Sequence, residues 1–219
     1  MLSRLDDVIY PNRCEVIEIE ASQRYIYPIF KNASSSITEW ARQQNYKILF
    51  NEQIKRAPTI DVVLRDPQKR FTSGVNTFVQ NLLKDEPTLS KDTILYFVEN
   101  YLFLNRHYAP QLSWLINLFR YTTKDTKFHI VGMESVPNYT PLLIKPNETN
   151  TLDQDVIDRL QTNIHNQYYL KLELALMALI GNTWTSKQVF THLMNREPQA
   201  FFETIGKSNT LIGVTDVLS

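Results

Sequence analysis

The sequence predicts an α/β fold built on an open sheet, and two stretches carry that expectation. In the first, a run of β-formers, Tyr25-Ile26-Tyr27-Pro28-Ile29-Phe30, ends abruptly in Lys31-Asn32-Ala33-Ser34-Ser35-Ser36. Ile37-Thr38-Glu39-Trp40-Ala41-Arg42 then continues as a helix. In the second, the apolar Thr59-Ile60-Asp61-Val62-Val63-Leu64 runs into a polar turn from Arg65 to Gly74, after which Val75 to Leu83 has helical periodicity. A chain of 219 residues, 43% hydrophobic and 21% charged, can bury one substantial core, so a single domain over 1–219 is expected.

The remaining elements follow in order. Glu15 to Glu20 alternates and reads as an edge strand or a lead into the strand at Tyr25. The first helix ends near Gln44, and Tyr46-Lys47-Ile48-Leu49-Phe50 is the next strand. Asp85 to Ser90 breaks the pattern before a helix from about Lys91 to Leu104. Leu112 to Arg120, with Trp114 and Phe119, is core or the wall of a channel, and Lys127 to Glu134 is a further strand in which His129 is structural. Residues 137–151, with three prolines, form a surface loop. Helical spacing resumes at Leu152, and a last helix runs from Trp184 to about Met194, ahead of a weakly patterned tail holding Gly206 and Gly213.

Charge and cysteine content narrow the function classes. Lys+Arg and Asp+Glu both number 23, so overall charge gives no argument for nucleic acid or a membrane surface. The lone Cys14 forms no internal disulfide, and no Cys/His spacing resembles a metal site. Acidic residues follow Met1-Leu2-Ser3-Arg4-Leu5 where a signal peptide would turn apolar, and no stretch reaches the length of a membrane span. A soluble, cytoplasmic chain is the expectation.

Two anion-binding motifs remain. The loop from Lys31 to Ser36 offers N–H groups at a helix N-terminus, three hydroxyls and an ammonium. It lacks the glycines of a Walker loop, and Lys31 is followed by Asn32 rather than Ser or Thr. Arg65 lies at a strand's end and Ser73 eight positions on, so a chain turning back after Pro67 brings a guanidinium and a hydroxyl to one anion. Asp66 and Arg70 read as charged partners within that turn.

Together, Lys31-Asn32-Ala33-Ser34-Ser35-Ser36 and Arg65-Asp66-Pro67 with Arg70 and Ser73 resemble the sulfotransferases that use 3′-phosphoadenosine-5′-phosphosulfate, in look closest to the carbohydrate, heparan sulfate 2-O type. The resemblance covers roughly residues 24 to 135. It implies a three-layer α/β/α fold with a central, mainly parallel sheet, of the P-loop-hydrolase-like kind. It also implies a metal-free in-line transfer to a hydroxyl acceptor such as a saccharide. Lys31, Asn32, Ala33 and Ser34 to Ser36 would bind the 5′-phosphosulfate, and Arg65 and Ser73 the 3′-phosphate. The Arg-Lys-Gly segment of the cytosolic members is absent, which leaves adenine recognition unassigned.

Two residues compete for the general base. Glu52 follows the second strand, 21 positions beyond Lys31, where related layouts carry a glutamate. In an open α/β sheet, strand ends share one crevice, which would put Lys31, Glu52 and Arg65 on one rim. The runner-up is His107, in a His-x-x-Pro-Gln segment with Gln111 that resembles one near the family's active site. Glu39, on the first helix, is a weaker rival. The alternatives are a nucleotide or sugar-phosphate kinase, which would need a Mg²⁺-binding carboxylate near Lys31, and a catalytically silent nucleotide-binding module.

Overall fold

A computed structural model describes residues 14–100, 105–138, 154–162 and 164–199. The expectations for the N-terminal octapeptide, for most of the 137–151 loop and for the tail with Gly206 and Gly213 lie outside these residues.

Among the described residues the strands are β1 (Glu15–Ile19), β2 (Arg24–Tyr27), β3 (Lys47–Phe50), β4 (Thr59–Leu64), β5 (Lys127–Gly132) and β6 (Thr183–Thr185), in the order β3-β1-β2-β4-β5-β6. β2 pairs with β4 and β4 with β5 in parallel; β1 pairs antiparallel with both β2 and β3, and β6 antiparallel with β5. The sheet is therefore mixed, where a mainly parallel one was expected. β1 is no edge strand: Val16 and Ile17 alternate onto opposite faces and both are fully buried, which an interior position satisfies.

Helices cover both faces. Tyr27, Leu49, Ile60, Val62, Leu64, Phe128 and Ile130 pack against α4 (Gln111–Phe119), α6 (Ile164–Met177) and α7 (Ser186–Arg196). On the other face Ile17, Ile26, Val63 and Val131 meet Ile37, Trp40 and Ala41 of α1 (Ser34–Gln43). A third cluster joins α2 (Pro67–Asp85), α3 (Lys91–Asn100) and α5 (Gln154–Thr162) around Phe71, Phe78 and Tyr108. No helix among the described residues is long and apolar enough to cross a membrane.

Two local readings change. The polar turn after β4 is much shorter than expected, because Asp66 caps α2 through Lys69 N at 2.8 Å and Pro67 takes the first helical position. Ser73 thus sits on a helix, and the Asp66 carboxylate has a capping task. Below α1, Asp61 of β4 accepts from Arg24 Nε at 3.1 Å and lies 3.1 Å from His129 Nδ1, so His129 ties adjacent strands together as a structural residue.

Cys14 is buried, and burial pushes its thiol up to about 12. At pH 8 alkylation of the native protein by iodoacetamide is expected to be about a thousandfold slower than that of a free thiol, becoming ordinary on unfolding. Rapid native labelling would contradict this packing.

Candidate anion site at the β2 and β4 strand ends

The chain leaves β2 through Pro28 to Ala33, and the turn is tight: Asn32 N donates to Ile29 O at 3.0 Å. Lys31 and Ala33 both adopt left-handed backbone conformations, with φ of 68° and 60°. Such residues fold successive N–H groups into a concave nest suited to an anion. Ile37 N closes α1's first turn on Ala33 O at 2.9 Å, leaving the N–H groups of Ser34, Ser35 and Ser36 without a partner in the helical ladder.

Two arginines hold this turn by its carbonyls. Arg65 Nη1 donates to Lys31 O at 3.0 Å, and Arg70 Nε donates to Phe30 O at 3.1 Å. Arg70, 1% exposed, also donates to Ala109 O, so it clamps the loop to the segment before α4. Lys31 Nζ reaches α2, where it donates to Thr77 Oγ1 at 2.5 Å, and Thr77 in turn donates to Ser73 O at 3.0 Å. The structure therefore gathers Lys31, Arg65 and Arg70 from two strand ends and one helix, with Ser73 joined to them through its main-chain carbonyl and Thr77. Arg70 belongs to this cluster through main-chain carbonyls, a task the expected pairing with Asp66 did not foresee.

The electrostatics of the cluster are unbalanced. Burial first, then the charges of Arg65 and Arg70, hold the Lys31 ammonium below its ordinary range. Burial and Arg70 likewise lower Arg65, against a smaller opposing effect of Asp66. Glu173 of α6 is fully buried beside them, its carboxyl raised by burial and drawn back down by Arg70 and by N–H donors from Gln111 and Leu112. Lys31, Arg65 and Arg70 are set against two carboxylates, buried Glu173 and exposed Asp66, a small excess of positive charge that an anion would neutralise.

His107 and Glu52 part company. The His107 ring meets Phe30 edge-on at 5.9 Å between centroids; Phe30 also stacks on Trp114 at 5.4 Å and lies under the Arg106 guanidinium at 5.0 Å. Phe30 immediately precedes Lys31 in the chain, and His107 on this shelf is itself buried. Glu52 shares the same sheet edge, but β1 lies between β3 and β2, which sets it about two strand spacings, roughly 10 Å, to the far side of β2 from Arg65. Its exposed carboxylate pairs with Lys55 at 2.5 Å. The expectation of Lys31, Glu52 and Arg65 side by side on one rim fails for Glu52, since strand ends fix an edge without fixing neighbours. Glu39 is exposed on α1 and bonded by Gln43 at 3.1 Å.

Gly74 explains how His107 comes so near. A Cβ at this position would stand 2.1 Å from His107 O and 2.9 Å from Tyr108 Cβ, so only glycine lets α2 lie against the 105–109 segment.

Gln111 and Glu173 complete the site. Gln111 bonds the loop, β4's end and α6, and it had only a resemblance to commend it. Glu173 belongs to no motif and lies inside a helical apolar run. The signal was its spacing, one and three residues from the buried Leu172 and Leu176, which puts a carboxylate on the inward stripe. Among the described residues, no group of three or more His, Cys, Asp or Glu is arranged to hold a metal ion. No family model, curated protein or solved structure matches this chain, so its function has to be read from the chemistry of the site itself.

Proposed function

We infer that the chain is a sulfotransferase of P-loop-like α/β architecture that takes 3′-phosphoadenosine-5′-phosphosulfate as donor and a hydroxyl group, in the favoured case on a saccharide, as acceptor. The observation that carries this reading is the convergence of Lys31, Arg65 and Arg70, whose like charges lower the basicity of Lys31 and Arg65, at the helix that bears Ser73. A ligand with two separated anionic groups suits it. The nest from Lys31 to Ser36 fits the 5′ group, and Arg65, just past the end of β4, with Ser73 on α2 suits a phosphate monoester beside it.

The sulfonucleotide supplies the sulfuryl group and departs as the 3′,5′-bisphosphate. The residues of this chain do the rest by position and charge. Lys31 and the Ser34 to Ser36 N–H groups stabilise negative charge at the departing phosphate, and Asn32 and Ala33 shape the turn that aims them. His107 is the favoured base for the acceptor hydroxyl, since its ring packs on Phe30 next to Lys31, whereas Glu52 is turned to solvent.

Calorimetric titration with 3′,5′-adenosine bisphosphate, ATP and AMP tests the donor class. Micromolar or tighter binding of the bisphosphate, at least tenfold better than ATP with Mg²⁺, is the expected result; preference for ATP would move the chain to the kinases. For the base, transfer to a panel of saccharide hydroxyls should fall about 10²- to 10⁴-fold in His107→Ala and less than threefold in Glu52→Gln. The reverse ranking would return the role to Glu52.

A further inference from the structure

Gln111, Asn32 and Glu173 are each 0% exposed, and their polar bonds form one connected chain. Asn32 Nδ2 donates to Val63 O at 2.7 Å and to Gln111 Oε1 at 2.6 Å. Gln111 Oε1 also accepts from Arg65 N at 2.9 Å, while its Nε2 donates to Arg65 O at 3.0 Å and to Glu173 Oε2 at 2.8 Å. Both hydrogens and both lone pairs of the Gln111 amide are used. Main-chain carbonyls can only accept and the Arg65 N–H can only donate, so neither amide has a second satisfactory orientation. Gln111 thus joins the Lys31 turn to the end of β4, and Glu173 anchors it from α6. The other oxygen of Glu173 accepts from Leu112 N at 3.1 Å, fixing the start of the helix that carries Gln111.

We propose that Glu173 is a positioning residue for the anion site, acting through Gln111 to hold the Lys31 turn and Arg65 in one mutual geometry. The identity of the anion rests on the sulfotransferase reading, but the positioning role does not. The role needs an acceptor at both oxygens. A glutamine at 173 must turn its NH₂ either toward the Leu112 N–H or toward Gln111 Nε2, and either choice sets donor against donor in a buried site. A purely electrostatic role makes the opposite forecast: Glu173 is a negative charge near Arg70, so neutralising it would strengthen anion binding.

The sign of the change therefore decides. Glu173→Gln and Glu173→Asp would be titrated with 3′,5′-adenosine bisphosphate, and exchange of the Arg65 and Val62 amides would be followed by NMR in the ligand-free proteins. The expected result for Glu173→Gln is at least fivefold weaker binding, with Arg65 exchange at least tenfold faster and Val62 unchanged. Glu173→Asp, which keeps the charge but retracts the acceptor, should move both readouts the same way by less. Unchanged or tighter binding with wild-type Arg65 exchange would overturn the proposal, as would a wild-type-like Glu173→Asp should the glutamine variant not fold. Failure of the wild type itself to bind the bisphosphate would sink the sulfonucleotide reading while Arg65 exchange still decides the positioning role.

Discussion

Lys31→Ala and Arg65→Ala should each weaken 3′,5′-adenosine bisphosphate binding more than tenfold, about 1.4 kcal/mol or more apiece, and Lys31→Ala should do so without a matching loss of folding stability. The asymmetry follows from the crowding of like charges. In the ligand-free protein Lys31 is disfavoured by burial and by Arg65 and Arg70, so removing it relieves repulsion while deleting a ligand contact. Because the folded-state pKa of Lys31 lies below its ordinary value near 10.5, the unfolded chain binds more protons between the two values, and stability rises with pH across that window. Lys31→Ala should abolish that alkaline gain. Ligand affinity should run the other way in wild type, falling as pH rises through the lowered pKa, because a neutral amine no longer meets the anion. Calorimetry and thermal melts from pH 7 to 10.5 would read both trends; a flat affinity profile in wild type would exclude Lys31 from the contact.

Arg70→Met should have the largest effect on stability. Arg70 is 1% exposed and its guanidinium serves the Phe30 and Ala109 carbonyls. Methionine fills much of the volume but serves neither, and a buried group left unserved costs about 1–3 kcal/mol. It also leaves the Glu173 carboxylate buried without the opposing charge of Arg70. Relief of repulsion on Lys31 and Arg65 works against these losses but is the smaller effect, since both are partly open to solvent. A net loss of about 3 kcal/mol lowers the melting midpoint by roughly 6–12 °C in a chain of this size. A shift under about 2 °C would mean that the clamp contributes little.

The sequence made the local grammar legible and the neighbour relations much less so. β2, β4 and α1 announce themselves because β-branched and aromatic runs give way to polar residues, although β2 itself ends at Tyr27 before Pro28 and the N-cap of α1 is the left-handed Ala33. The Asp66-Pro67 pair carries a helix-start signal that the following Gln68-Lys69-Arg70 obscured, since an exposed first turn looks like a loop. The register of β1 with β2 and β3 was out of reach: alternation identifies a strand but says nothing of which strands flank it. That gap misplaced Glu52 and turned an expected parallel sheet into a mixed one. His107 came from a resemblance, and its nearness to Phe30 depends on a helix–loop contact more than thirty residues apart in sequence. Glu173 was visible as a charge on an apolar stripe, but its partner, Gln111, becomes evident only once α4 and α6 are packed together.

The tight seat of Gly74 against His107 and Tyr108 bears on how this chain can drift over evolutionary time. The serines of the Lys31 loop can exchange for other small polar residues, because much of what that loop offers is main chain. Position 74 has no such latitude, since even one added methyl meets a carbonyl oxygen at 2.1 Å. In a distant descendant with the same architecture, the lasting signature would be a helix glycine one residue past Ser73 rather than the lysine loop. Any lineage that lost that glycine would have to separate the helix from the histidine segment, and with it Ser73 from His107.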